Sequence, residues 1–578
     1  MSIDNNIYVP SKISGFEPWI RIRYRILLEE FGSREFTRKE AEEVLKQHDK
    51  ELANVNELLN ILAKEDLLEM EEKDGQYFYR FKKKGMEKES VTKDKLIRLL
   101  KMGADLIRMR VDYKILLILL FYKALSDRWY LKAQEYFKET KDWEAAYHLA
   151  NIDYYILYDE YEKRLYTWEE VVKDKTNLIP NFITALNKIS ELNEKLNDLK
   201  ILVEKLGFTG FINNEDNYHI FIDLIELFSK VDFKYADYDI IGGGYEWILS
   251  YVAPTQAKQG ENYTPREVIR LMVEILDIDE NSDVLDPAAG SGAMLIEAYK
   301  YVSENKNDGK TLRLEGQESN DVTAILGKIN LLLHGVENYD IYIGDSLINP
   351  RFSKADYVLA NPPWNRDYDI AKALNEKLSV IYKYGITPKQ SADWLWVQLM
   401  LFFAKKKVAV ILDNGALFRG GKEKKIREGV IKDDLIECII LLPEKLFYNT
   451  SAPGIIMILN KNKPEERKNK ILFINASNEF EKHPEVRKLN ILSRKNIEKI
   501  VKAYRDFKDI EGFCRVVSEE EIKDNDYNLN VTLYVFPQEE VEEIDVMKEW
   551  KDLKEIEKEI NEVEERIEGY LVVYGERK

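Results

Sequence analysis

Cysteine and histidine are scarce in this chain. Cys438 and Cys514 are the only cysteines among 578 residues, and there are five histidines. Two cysteines cannot build a disulfide framework or a Cys-rich metal cluster, so a small secreted scaffold and a zinc-organised fold are excluded and no metal site is expected. The usage fits a reducing cytoplasm. Long apolar runs are also missing. None reaches the roughly 18 residues that suggest a membrane span, and the N-terminus lacks a signal-peptide pattern. There is no surplus of basic residues, and the net charge is −18. A stand-alone nucleic-acid binder usually shows a basic surface. Either the cations gather on one face, or a partner supplies most of any grip on a polyanion. No Lys-bearing phosphate loop of a helicase occurs, which excludes an ATP-driven motor.

A 45% hydrophobic content is ample for globular cores, and the length suggests three or four domains. The middle of the chain is the most informative. Ala355-Asp356-Tyr357-Val358-Leu359-Ala360 is a short apolar run that reads as a buried strand. It stops at Asn361-Pro362-Pro363-Trp364, because two prolines have no N–H to donate and lock the backbone. A rigid polar turn results at the carboxyl end of a strand, where open α/β sheets bind ligands. Asn361 offers an amide carbonyl and Trp364 a flat face, a pair suited to holding a planar base with an exocyclic amine. A proline-rich turn beside a core tryptophan is the bland alternative.

Upstream, Asp283-Val284-Leu285-Asp286-Pro287-Ala288-Ala289-Gly290-Ser291-Gly292 reads as a strand followed by a Gly-rich turn. Glycines let backbone pass close to a ligand. An acid at the strand end suits hydroxyls or an amine, whereas a pyrophosphate would be repelled. Further strands are predicted at Leu312–Gly316, Asp340–Ile343, Tyr357–Ala360, Val408–Leu412, Ile436–Leu442 and Gly454–Leu459, with helices such as Ala293–Val302 and Val322–His334 between them. Such alternation implies a doubly wound α/β sheet.

Together the two turns resemble the signature of S-adenosylmethionine-dependent amino methyltransferases of DNA, in the γ-class order. Gly260 to Val268, Gly316-Gln317-Glu318, Gly344-Asp345-Ser346-Leu347, Asn414 to Gly421 and Leu441 to Phe447 extend the likeness. The last two segments resemble one subfamily, the modification subunit of type I restriction–modification systems. The match runs from about Tyr245 to Asn475. It implies a Rossmann-like methyltransferase sheet whose closing strands form an antiparallel edge hairpin, and S-adenosyl-L-methionine as cofactor. Its implied contacts are Tyr263, Thr264 and Pro265 at the methionine part, and the turn residues Ala288, Gly290, Ser291 and Gly292. Asp286 would serve at the amino group, Glu318 at the ribose and Asp345 near the adenine, with Phe352 as an adenine cover. Asn361, Pro362, Pro363 and Trp364 would hold a flipped target adenine. Asn361 Oδ1 and the Pro362 carbonyl would accept from its N6 amine, and the aromatic ring would stack on the base. Each acid could instead be a helix cap.

Around this catalytic domain (residues 246–480) the chain reads in three parts. Residues 1–90 suggest a winged-helix-like unit: a helix from Glu17 to Phe31, a capping box Thr37-Arg38-Lys39-Glu40, a helix from Asn54 to Leu68, and a hairpin turning at Asp74-Gly75. With 16 Lys and Arg against 19 Asp and Glu, this part is not basic. Residues 91–245 read as a helical domain ending in a hinge at Gly242-Gly243-Gly244. Residues 481–578 read as a helical tail, where Leu553, Ile556, Ile560, Val563, Ile567 and Tyr570 recur at coiled-coil spacing. The tail could dock on another protein or fold back on its own chain. The resemblance implies double-stranded DNA and a DNA specificity subunit as partners, and admits a restriction subunit and a second modification subunit. A self-sufficient adenine methyltransferase and a non-DNA relative are the competing readings.

Overall fold

The computed structural model describes residues 18–31, 34–48, 55–64, 67–73, 76–81, 91–107, 112–205, 215–258, 264–306, 308–371, 373–447, 450, 452–484, 486, 488–536 and 546–575. The chain forms two compact units, Met1–Ser90 and Val91–Lys578.

In the first unit, helices Pro18–Phe31, Arg38–His48 and Val55–Lys64 enclose a core of Leu27, Phe36, Leu58, Leu59 and Leu62. Thr37 and Glu40 cap the second helix reciprocally. The Thr37 N–H donates to Glu40 at 2.7 Å, and the Glu40 N–H to the Thr37 hydroxyl at 3.3 Å. Strands Leu68–Lys73 and Gln76–Phe81 pair antiparallel, and the second also pairs with Phe36–Thr37. The Asp74-Gly75 turn lies outside the described residues.

The second unit begins with helices, among them α1 (Lys114–Thr140), whose first half is buried all round. The expected hinge at Gly242–Gly244 is instead interior to a helix, α2 (Tyr238–Lys258). Three glycines weaken a helix by roughly 1 kcal/mol each relative to alanine. Close packing explains them. A Cβ on Gly242 would strike the buried His334 ring, and one on Gly244 would lie 2.5 Å from Leu96.

A nine-stranded sheet follows. Its strands are β1 (Asp283–Asp286), β2 (Arg313–Glu318), β3 (Tyr339–Ile343), β4 (Ala355–Ala360), β5 (Ala404–Asp413), β6 (Ile436–Leu441), β7 (Gly454–Asn460), β8 (Lys470–Asn475) and β9 (Cys514–Ser518). Their spatial order is β9-β8-β6-β7-β5-β4-β1-β2-β3. The run β5-β4-β1-β2-β3 is parallel. Helices cover both faces, including α3 (Arg266–Leu276), α4 (Ala293–Asn305), α5 (Asp321–Leu333) and α6 (Asp393–Phe403), around two large apolar layers. This is the doubly wound, Rossmann-like sheet that the alternation of strands and helices implies.

Two expectations are corrected here. The antiparallel strand β7 sits inside the sheet between β5 and β6, and is not part of an edge hairpin. Strands β8 and β9 complete that side, with β9 antiparallel to β8. The segment after residue 480 is therefore not simply a helical tail, because Cys514–Ser518 belongs to the catalytic sheet. Chain beyond it stays attached: the Leu529 N–H donates to the Leu417 carbonyl at 3.0 Å. No described helix is long and apolar enough to cross a membrane. Among the described residues no His, Cys, Asp or Glu cluster could hold a metal.

Candidate active site

Strands β1 to β4 are parallel, so their carboxyl ends and the turns that follow lie along one edge of the sheet. A cavity of about 450 Å³ opens there, in the range of small-molecule sites. Its walls include Thr264, Asp286, Gly290, Glu318, Asp345 and Asn361. Residues far apart in sequence thus meet because each ends a strand or opens the element after it.

The Gly-rich turn is shaped by backbone conformation. Gly290 (φ 51°) and Gly292 (φ 78°) both occupy the left-handed region. A Cβ on Gly290 would meet nothing nearer than the Ala288 carbonyl at 4.0 Å, so the backbone is bare toward the cavity. Ala288 and Ser291 also line it. Gly292 does not. It turns the chain into α4, and a Cβ there would press to 3.3 Å from the Gly327 carbonyl on α5. Pro265 is likewise outside the wall, buried at the start of α3. Tyr263 lies outside the described residues.

The three acids are held differently. Asp286 is only 1% exposed and accepts from the Ala288 N–H at 3.0 Å. Burial pushes its carboxyl up to about 8, and the neighbouring Glu318 charge adds to the shift against the Ala288 bond. Glu318 ties two turns together, accepting from the Gly290 N–H at 3.1 Å and the Asn320 N–H at 2.8 Å. Asp345 accepts from the Leu347 N–H at 2.9 Å and the Tyr368 hydroxyl at 2.5 Å.

Asn361 is clamped at both ends of its amide. Its Nδ2 donates to the Thr264 hydroxyl at 2.8 Å, and its Oδ1 accepts from Trp364 Nε1 at 2.9 Å. The amide is thereby oriented, and the second lone pair of Oδ1 is left over for another donor. Pro363 is in the cavity wall, whereas Pro362 is buried. Trp364 is half-buried outside that wall, edge-on to Phe447 with ring centroids 4.8 Å apart. Gly454 makes the slot: a Cβ there would lie 2.8 Å from the Trp364 ring.

Phe352 is not an adenine cover. It is buried in the core against Phe403, 4.7 Å between centroids, because the chain after β3 turns it inward. The aromatics that do line the cavity, Tyr368 and Trp396, carry no local motif and escape a reading by sequence. So does the support of the Asn361–Trp364 turn. Arg419 donates to Asn365 Oδ1 at 2.8 Å, Ser391 at 3.0 Å, Asp413 at 3.1 Å and Glu423 at 2.7 Å, and also pairs with Asp393. Asp393, fully buried, accepts in turn from the Asn365 N–H at 3.3 Å. Asn365 adopts a left-handed φ of 49°, so this cluster holds a strained residue directly after the Pro-Pro turn.

The site's chemistry agrees with what the chain resembles. Residues 236–543 match the N-6 DNA methylase family. The chain is 54% identical over 573 residues to the type I restriction enzyme MjaVII methylase subunit of Methanocaldococcus jannaschii, covering 97% of this chain and 98% of that protein. It is 32% identical over 377 residues to the HindI methylase subunit of Haemophilus influenzae, covering 61% of this chain and 81% of that protein. Among solved structures, the type I restriction–modification methyltransferase subunit from Streptococcus thermophilus superposes with a TM-score of 0.68 at 26% identity, over 77% of this chain and all of that one. An open cavity with bare glycine backbone, a buried acid and an oriented amide fits S-adenosylmethionine, the methyl donor of such enzymes. The chain belongs to the N-6 DNA methylase family, as an adenine-specific DNA methyltransferase of the type I restriction enzyme methylase subunits.

Proposed function

We propose that the chain methylates the N6 amine of an adenine swung out of duplex DNA, as the modification subunit of a type I-like complex in which a separate specificity subunit selects the site. The orientation of Asn361 carries this reading. With Nδ2 bound to Thr264, its Oδ1 points a free lone pair at an incoming donor, at the wall of the cofactor cavity. S-adenosylmethionine supplies an electrophilic methyl on a sulfonium, a leaving group that needs no metal. The protein's task is alignment. Adenine N6 is a poor nucleophile because its lone pair is delocalised into the ring. Oδ1 of Asn361 and the Pro362 carbonyl, accepting its two N–H bonds, favour a more tetrahedral nitrogen whose lone pair faces the methyl. Asp286 would neutralise the methionine ammonium, Glu318 would accept from the ribose, and Asp345 would stand at the adenine end. Trp364, half-buried, offers aromatic surface beside the turn. Stacking is worth roughly 1–3 kcal/mol per base, enough to offset much of the few kcal/mol that flipping costs.

The partner is inferred from the helix α8 (Val546–Gly575). Leu553, Ile556, Ile560, Val563 and Ile567 form one stripe, and each is 46–53% exposed. An apolar stripe left uncovered by the described residues favours docking on another helix over folding back. The relatives named type I subunits support the same arrangement.

The test is to map methylated positions after incubating genomic DNA with labelled cofactor and the chain, alone and with a neighbouring candidate specificity subunit. Transfer to adenines of a split motif only with the partner supports the proposal. Transfer by the chain alone moves recognition to its own domains. Asn361→Ala should abolish transfer while cofactor binding persists, and a variant that still methylates at the normal rate would refute the assigned mechanism.

A further inference from the structure

The cofactor cavity lies over β4, β1, β2 and β3, so a base must reach the catalytic turn from the β5 side. Strands β4 and β5 run parallel with Ala360 opposite Val410, and leave the sheet at the same edge. The loop after β5, Asn414 to Gly421, is therefore the first structure on the substrate's side of Asn361. Arg419 fastens it to Asn365, one residue past the turn.

This loop presents an aromatic outward. Phe418 is 46% exposed although Ala416 and Leu417 before it are fully buried. Its mount is stiff: the Phe418 N–H donates to the Gly415 carbonyl at 3.1 Å, and Trp394 Nε1 donates to the Ala416 carbonyl at 2.9 Å. Gly420 and Gly421 follow, exposed, with nothing within 4 Å of where a Cβ would stand. The next helix, α7 (Lys422–Lys432), sorts its first charges. Glu423 turns inward to Arg419, and Lys424 pairs with Asp526. Lys422 and Lys425 remain exposed, and neither pairs with a carboxylate among the described residues. In a chain of net charge −18, two uncompensated cations and an exposed aromatic beside the catalytic turn make a surface complementary to a stacked polyanion.

We infer that the segment Phe418–Lys425 grips the target strand: Phe418 stacks into the space vacated by the flipped adenine, and Lys422 and Lys425 hold flanking phosphates. This rests on the adenine-flipping reading above. It differs from that reading in predicting a defect that the DNA itself can repair.

The experiment uses the full chain with its specificity subunit and a duplex carrying a mapped target. The adenine is either paired with thymine or set opposite an abasic site, where it is already loosened. Phe418→Ala should lower kcat/KM on the paired target about ten- to a hundredfold, the worth of one stacked base. On the abasic duplex it should return to within threefold of the parent. Phe418→Trp should stay near the parent on both. The double variant Lys422→Gln/Lys425→Gln should flatten the slope of log K against log salt by about 2, one unit per phosphate lost. Equal rates for Phe418→Ala and the parent on paired DNA, an equal deficit on both duplexes, or an unchanged salt slope would overturn the inference. Loss of association with the specificity subunit on gel filtration would do so too, because it would reassign Phe418 to that interface. A parent complex that transfers no methyl to any DNA would sink the underlying reading instead.

Discussion

The proposed seat of the cofactor's ammonium at Asp286 predicts a cofactor affinity that depends on protons. In the free protein its carboxyl titrates at about 8, chiefly through burial, so it is about nine-tenths protonated at pH 7. A ligand ammonium seated against it favours the carboxylate, so binding must expel that proton. The consequence is linkage: well below pH 8 the apparent affinity should rise about tenfold per pH unit, and roughly twenty-five-fold from pH 6 to 7.5. S-adenosylhomocysteine suits the measurement, having the amino-acid end without the reactive methyl. Calorimetry in buffers of different ionisation enthalpy should count about 0.9 proton released per ligand at pH 7. Asp286→Asn mimics the protonated acid. It should weaken binding, remove the pH slope and release no proton. The same shift acts on stability with the opposite sense. A carboxyl raised from 3.8 to about 8 stabilises the folded protein fully at low pH, and that contribution is lost as pH rises through 8. The loss begins above about pH 4, so without ligand Asp286→Asn should unfold within about 1 kcal/mol of the parent at pH 4 and become the more stable of the two as pH rises toward 8. A pH-independent affinity in the parent, or proton release that persists in Asp286→Asn, would refute the placement of the ammonium at this acid.

Three further expectations concern the turn and its surroundings. Trp364→Phe keeps an aromatic ring but removes the Nε1–H bond that orients Asn361. One lost hydrogen bond of roughly 0.5–1.5 kcal/mol predicts a kcat lower by about three- to tenfold, with cofactor KM within twofold, in steady-state methylation of a mapped duplex. Arg419→Ala would leave Asp393, Asp413 and Glu423 without the guanidinium that joins them. Urea unfolding should show a loss of roughly 3–5 kcal/mol, and a loss below 1 kcal/mol would mean the cluster does not hold the turn. Gly242→Ala gains helix propensity but drives a methyl into the buried His334, whose Nε2 already sits 2.6 Å from Glu246. Overpacking of about 1–3 kcal/mol should win and lower the melting temperature, whereas a flexible linker there would tolerate the change.

Much of this site is legible in the sequence because its signals are local. Two prolines after an apolar run must end a strand, and a Gly-x-Gly turn after an acid-tipped strand must bend sharply, whatever the rest of the chain does. Seven strands of the sheet follow from apolar runs, and the two turns carry the family resemblance that implies the chemistry. What the sequence hides depends on distant partners. Gly242–Gly244 look like a hinge in isolation, and only the packing of His334 and Leu96 against them makes a helix the better solution. Cys514–Ser518 is too short and too weakly patterned to announce a strand, and becomes one because the open edge of β8 offers it hydrogen bonds. Phe352 was an adenine cover by position, but burial against Phe403 claimed it for the core. The proton on Asp286, the five-way grip of Arg419, and the outward aim of Phe418 beside the turn are likewise products of burial and proximity. Steric rules between neighbouring residues shape each strand end and turn. Desolvation and long-range contact, which exist only once those pieces meet, decide what their side chains can do.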